Sequence, residues 1–160
     1  MSLQTATREG PAIAPDLLQR LRKRLADSPA LGWLRPSLEE LGPDTCVLRL
    51  PYRAEVTNGS GTIHGGILAM LADTAVAFAL ATNFDGKMGF ATADLTIHYL
   101  RRARGDVRAQ ATIIKKGQRV NVGEVQITDG AGREVARALA TFLLTTSSFD
   151  YAPERTKKLP

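Results

Sequence analysis

Cysteine and histidine are scarce in this chain. The one cysteine, Cys46, has no second thiol to pair with, which excludes an internal disulfide. Only two histidines, His64 and His98, are present, and neither they nor the acids fall into a metal-ligand spacing such as HExxH. Aromatic residues make up 6% of the sequence and are not interleaved with the basic ones, so the stacking pattern of nucleic-acid-binding modules is missing. Long apolar runs are missing as well. The best of them, residues 67–82, carries Asp73 and is shorter than the ~20 residues that cross a bilayer. The N-terminus shows no basic head followed by an apolar segment, so no secretory signal is read there. Ser60 sits in Gly59-Ser60-Gly61, not in G-x-S-x-G, and gives no serine-hydrolase signature. These absences lead us to expect a cytoplasmic protein without metal, membrane or nucleic-acid partner.

The 160 residues, 44% hydrophobic and 23% charged, suit one globular domain with a single core. The net charge of +5 is gathered in clusters: residues 20–24, Arg101-Arg102-Ala103-Arg104, Lys115-Lys116 with Arg119, and residues 155–158. Solvated surface accounts for such clusters as a rule. Those between residues 101 and 119 would equally suit a small polyanion, such as a nucleotide-bearing cofactor.

Periodicity sets out the elements. Leu17, Leu18, Leu21 and Leu25 recur at helical spacing over residues 15–25, ending near Ser28-Pro29. Residues 45–50 read as a strand with Cys46, Leu48 and Leu50 on one face, which makes Cys46 a core residue and not a reactive thiol. A glycine-rich turn then opens onto an Ala/Leu-rich helix over residues 64–83. Four strands follow, at residues 89–100, 107–115, 119–128 and 134–145, with brief turns between them. Short connections imply antiparallel pairing, because parallel neighbours need long crossovers. The expectation is α+β: an antiparallel sheet packed on one central helix, with an earlier strand or two.

The segment Asn58-Gly59-Ser60-Gly61-Thr62-Ile63-His64-Gly65-Gly66 and the helix after it carry the chemistry. Glycines admit close backbone approach, and the first N–H groups of a helix have no internal partners and favour an anion. Asp73 is the one charge in an otherwise apolar helix, where burial is costly without a partner or a purpose. Each feature has a plain structural alternative: a helix-entry turn, a satisfied buried acid, a hydrogen-bonding His64, a surface His98. Helix geometry constrains the functional reading. His64 and Asp73 point to opposite sides, and Gly65 lies ~12 Å along the axis from Asp73. One reacting carbonyl cannot touch both from a single chain, so if both serve one reaction the simplest solution is an isologous dimer with antiparallel helices.

Asn58, His64-Gly65-Gly66 and Leu71-Ala72-Asp73, together with Thr92-Ala93-Asp94-Leu95-Thr96-Ile97-His98-Tyr99-Leu100-Arg101-Arg102-Ala103 and Gly132-Arg133-Glu134-Val135-Ala136, resemble the hotdog-fold acyl-CoA thioesterases of the phenylacetate-degradation (PaaI-like) type. The resemblance covers residues 40–145. It implies a hotdog fold, a curved antiparallel sheet wrapped around one long helix, over residues 31–147, with an N-terminal extension at 1–30 and a basic tail at 148–160. It also implies a homodimer with shared active sites, associating as a dimer of dimers. By the resemblance, Asp73 is the catalytic carboxylate, acting as general base or nucleophile, and the Gly65 N–H is the oxyanion donor. Asn58 and His64 would position water, thioester or loop, and Thr92 would orient water or the acid. Strict alternation places Thr92 on the face opposite Leu95, Ile97 and Tyr99, so its role requires a bulge or a neighbouring subunit. Arg101, Arg102, Arg104, Lys115, Lys116 and Arg119 are the candidates for the phosphates of CoA, which enters as part of the substrate and not as a separate cofactor. Two other readings are a hotdog 3-hydroxyacyl thioester dehydratase or hydratase, and a non-catalytic acyl-CoA-binding sensor. The helix carries HGG and Asp where a hydratase pair would stand, and no DNA-binding domain accompanies the core; both points favour the thioesterase.

Overall fold

The computed structural model describes residues 13–84 and 88–148. Residues 1–12 of the N-terminal extension and the basic tail from residue 149 onward lie outside the described residues. Proline opens both leading helices, α1 (Pro15–Asp27) and α2 (Pro29–Leu34), where its fixed φ suits the first turn and its missing N–H costs nothing. The leucines expected on one face of α1 behave so: Leu17, Leu21 and Leu25 are buried, and Leu18 packs against the core edge. Pro29 ends α1 as expected but also starts α2. That short helix closes on Arg35 in the left-handed region (φ 55°).

Six strands follow the expected order: β1 (Ser37–Gly42), β2 (Thr45–Leu50), β3 (Met88–Tyr99), β4 (Val107–Lys115), β5 (Val120–Asp129) and β6 (Glu134–Ser148). They form one curved antiparallel sheet in the order β1-β2-β4-β5-β6-β3. Short turns join β1 to β2 and carry β4 through β5 to β6. The central helix α3 (Gly65–Ala81) separates β2 from β3 in the chain. Its length lets β3 return on the far edge of the sheet, beside β6, instead of beside β2.

Apart from Asp73 and Thr74, helix α3 is apolar around its circumference, which is the pattern of a helix enclosed by its surroundings. Leu68, Leu71, Ala72, Ala75, Val76, Phe78, Ala79 and Leu80 are all buried. The sheet face that receives it is built from small residues, among them Ala109, Ala111, Ala136, Ala138 and Ala140. The helix comes close to the sheet at Gly123 of β5, where an added Cβ would stand 2.5 Å from Val76 Cγ1. Cys46, Leu48 and Leu50 line the same core from β2. Burial pushes the Cys46 thiol up to about 12, so it packs as a small apolar group and not as a nucleophile. No helix among the described residues is long and apolar enough to cross a membrane.

Candidate active site

The loop that leads into α3 is organised by one side chain. Asn58 Oδ1 accepts from the N–H of Ser60 at 2.9 Å and from its hydroxyl at 2.8 Å. It also accepts from the N–H of Thr62 at 3.3 Å and from the Thr62 hydroxyl at 3.0 Å. A short polar side chain that replaces backbone partners in this way holds a tight turn. The turn is tied down by Ile63 N–H donating to the Ala103 carbonyl and His64 N–H donating to that of Val56, both at 2.9 Å. Asn58 thus sets the shape of the loop before the helix.

His64 is the N-cap of α3, and its Nδ1 accepts from the Gly66 N–H at 2.9 Å. An accepting Nδ1 leaves the ring proton on Nε2, so the imidazole keeps a donor on its far side. Gly65 occupies the first helical position, where an N–H has no acceptor within the helix. Among the described residues no other acceptor takes it. Its carbonyl accepts from the Tyr99 hydroxyl at 2.9 Å. The Tyr99 ring lies so near that an added Cβ on Gly65 would stand 3.0 Å from Cζ.

Asp73 lies on the same helix, two turns further along, and accepts from the Thr92 hydroxyl at 2.8 Å. The face problem at Thr92 is solved by a bulge. In the pairing of β3 with β6 the register shifts between Thr92 and Asp94, so Thr92 opposes Phe142 while Leu95 opposes Ala140. Phe142 and Ala140 both belong to the buried face of β6, so one extra residue turns both Thr92 and Leu95 toward the helix. Burial pushes the Asp73 carboxyl above the usual range, and the Thr92 hydrogen bond partly offsets this by favouring the ionised form.

The basic candidates divide by position. Arg101 and Arg102 line a cleft of about 350 Å³ together with Gly65, Leu68 and Tyr99. Arg101 reaches back to donate to the Glu134 carbonyl at 2.8 Å. Arg104 lies just past this cleft and is not part of its lining. Lys116 stands near the other end of α3, paired with Asp44 at 2.8 Å and donating to Asn83 at 3.2 Å. Lys115 ends β4 and Arg119 lies in the β4–β5 turn, so within one chain these three are not brought to the Gly65 cleft. His98 is exposed on β3 opposite Arg137, a surface position as expected. Among the described residues no group of three or more His, Cys, Asp or Glu gathers where it would hold a metal ion. The residue that sequence reasoning left without a role is Tyr99. It is not a local neighbour of Gly65, since it follows 34 positions later, and only the return of β3 alongside α3 brings its hydroxyl to the Gly65 carbonyl.

Comparison with known proteins agrees with this architecture. The model of the family described as Domain of unknown function (DUF4442) matches residues 21–144. A Halobacterium salinarum protein named "Putative esterase" is 35% identical over 123 residues, covering 74% of this chain and 82% of that one. Acyl-coenzyme A thioesterase 13 of Homo sapiens is 29% identical over 108 residues, covering 66% of this chain and 76% of its own length. Among solved structures, the E. coli PaaI protein from the phenylacetic acid degradation operon superposes with a TM-score of 0.77, covering 86% of this chain and 99% of that one at 20% identity, a likeness of fold. With the matched family model spanning most of the chain and the curved sheet wrapped on α3, this protein belongs to the DUF4442 family and has the hotdog fold of the PaaI-like thioesterases.

Proposed function

We propose that this protein hydrolyses acyl-CoA thioesters to a carboxylic acid and free CoA, at two equivalent sites shared across a homodimer. The observation that carries the proposal is the Asp73–Thr92 pair: a half-buried carboxylate on the central helix, held by a hydroxyl that a bulge has turned toward it. The unpaired Gly65 N–H at the start of the same helix supplies the second requirement, a donor aimed at a developing oxyanion. The human relative's name, acyl-coenzyme A thioesterase, supports this substrate class.

Asp73 and Gly65 lie eight residues apart on one helix, ~12 Å along its axis, so they serve different sites. Each site takes Gly65, His64 and Asn58 from one protomer and Asp73 with Thr92 from its partner. As general base, Asp73 accepts a proton from water while the water oxygen bonds to the thioester carbon. The carbonyl oxygen gains charge and is stabilised by the Gly65 N–H. Collapse breaks the C–S bond, and the proton passes to the leaving thiolate. As nucleophile, Asp73 instead forms a mixed anhydride that water then opens. A single turnover in ¹⁸O-labelled water tests for the nucleophilic route: label in the Asp73 carboxylate requires an anhydride opened at the Asp73 carbonyl, which the general-base route never forms. Arg101 and Arg102, in the cleft beside Gly65, are the pair we assign to the CoA phosphates.

Thiol release measured across a panel of aromatic and aliphatic acyl-CoA thioesters tests the assignment, with Asp73→Asn as the control. Thiol release that persists in the variant overturns it. Addition of water to an enoyl-CoA without thiol release indicates a hydratase, and binding without turnover indicates a sensor.

A further inference from the structure

We propose that Tyr99 is a positioning residue for the oxyanion donor: with His64 it holds the Gly65–Gly66 peptide from both sides and so fixes the direction of the neighbouring Gly65 N–H. This rests on the hydrolase reading above and adds to it a residue that touches none of the reacting atoms.

Two successive glycines at a helix start are the most freely rotating backbone a chain can place there. An oxyanion donor needs the reverse, a fixed direction, because its contribution depends on being aimed before charge develops. The peptide between Gly65 and Gly66 is planar, so holding its two ends sets ψ of Gly65 and φ of Gly66 together. Both ends are held. The Tyr99 hydroxyl donates to the Gly65 carbonyl at 2.9 Å, and the Gly66 N–H donates to His64 Nδ1 at 2.9 Å. On the other side of Gly65, the His64 carbonyl accepts from the Ile67 N–H at 2.9 Å and from the Leu68 N–H at 3.3 Å. The Gly65 N–H is therefore the free group between two anchored peptides.

Tyr99 is itself well placed to act as an anchor. It ends β3, and the next two N–H groups, of Leu100 and Arg101, both donate to the Val135 carbonyl, at 2.9 and 3.1 Å, which pins the end of the strand. The residue is 52% exposed in the single chain, so burial within that chain gives little reason for a large ring at this point. Its ring also abuts Gly65, where it confines the glycine sterically as well as through the hydroxyl. A ring that only packed there would serve as well without its oxygen.

The experiment compares Tyr99→Phe with the wild type and with Asp73→Asn, using the acyl-CoA that the wild type turns over best. Removing one neutral positioning hydrogen bond is expected to lower kcat about 3- to 10-fold, with KM within about twofold of the wild type. Carbonyl infrared spectra of a bound, non-hydrolysable analogue, with methylene in place of the thioester sulfur, give a second readout that does not depend on turnover. The red shift on binding should be smaller in Tyr99→Phe than in the wild type, and circular dichroism should show the same fold. Wild-type kcat and carbonyl shift in Tyr99→Phe, alongside an inactive Asp73→Asn, overturn the role of Tyr99 and leave the hydrolase reading standing. A change in KM alone makes Tyr99 a substrate contact and overturns it too. An active Asp73→Asn removes the hydrolase reading, and the proposal with it.

Discussion

Asp73 is held between opposed influences: burial disfavours its charge, and the Thr92 hydroxyl at 2.8 Å favours it. Both general-base and nucleophilic roles need the ionised form, so activity should fall on the acid side as Asp73 takes up a proton. Thr92→Val removes the influence that lowers its affinity for that proton. The acid limb of the kcat–pH profile is then expected to move to higher pH, and a limb that stays in place would separate Thr92 from the reacting acid. Stability carries the opposite sign. A carboxyl that binds its proton more tightly when folded costs stability as pH rises from its unfolded to its folded pKa, and the cost is fully present above both. Asp73→Asn should therefore raise the thermal midpoint at neutral pH while removing most turnover, an outcome that differential scanning calorimetry and thiol release check together. Gly65→Ala has a steric consequence, since its Cβ would meet the Tyr99 ring at 3.0 Å. With the donor N–H displaced, kcat is expected to fall by about 10²-fold, read by the same assay.

At the scale of elements, two local departures from regularity position the site. The bulge in β3 is one; without it Thr92 would face away from the helix. Alternation alone revealed the conflict, since Leu95 and Thr92 are an odd number of residues apart, but not its resolution, because a bulge is a property of the pairing with β6 and not of β3 by itself. The other is the close contact of α3 with β5 at Gly123. Gly123→Ala is expected to cost about 1–3 kcal/mol through overpacking against Val76. Val76→Ala in the same chain should return part of that loss, so urea unfolding of the two single variants and the double variant should be non-additive. The amphipathic α1, the long apolar α3 and the run of four strands after it were legible because period 3.6 and period 2 are written directly into the hydrophobic positions. Helix α2 was not, because six residues are too few to show a period and Pro29 reads equally as a stop and as a start.

For the whole molecule, the spacing of Gly65 and Asp73 on one helix makes the isolated chain an incomplete site under the proposed chemistry. Mixing an inactive Gly65 variant with an inactive Asp73 variant should restore turnover toward about a quarter of the wild-type level. That follows for a random dimer in which half the dimers are mixed and each mixed dimer has one of its two sites intact. No recovery after subunit exchange, demonstrated by mass, would place both groups in the service of one chain. Sequence alone determined the class of fold, the identity of the central helix, the glycine entry and the lone acid within it, since these follow from local period and composition. Tertiary structure decided which groups meet: Thr92 with Asp73 through a bulge, Tyr99 with Gly65 across 34 residues, Arg101 and Arg102 at the cleft while Lys115, Lys116 and Arg119 stand elsewhere. The physical reason is that a hydrogen bond depends on distances of about 3 Å and on direction, and between residues far apart in the chain only the pairing register and the path of the backbone set these.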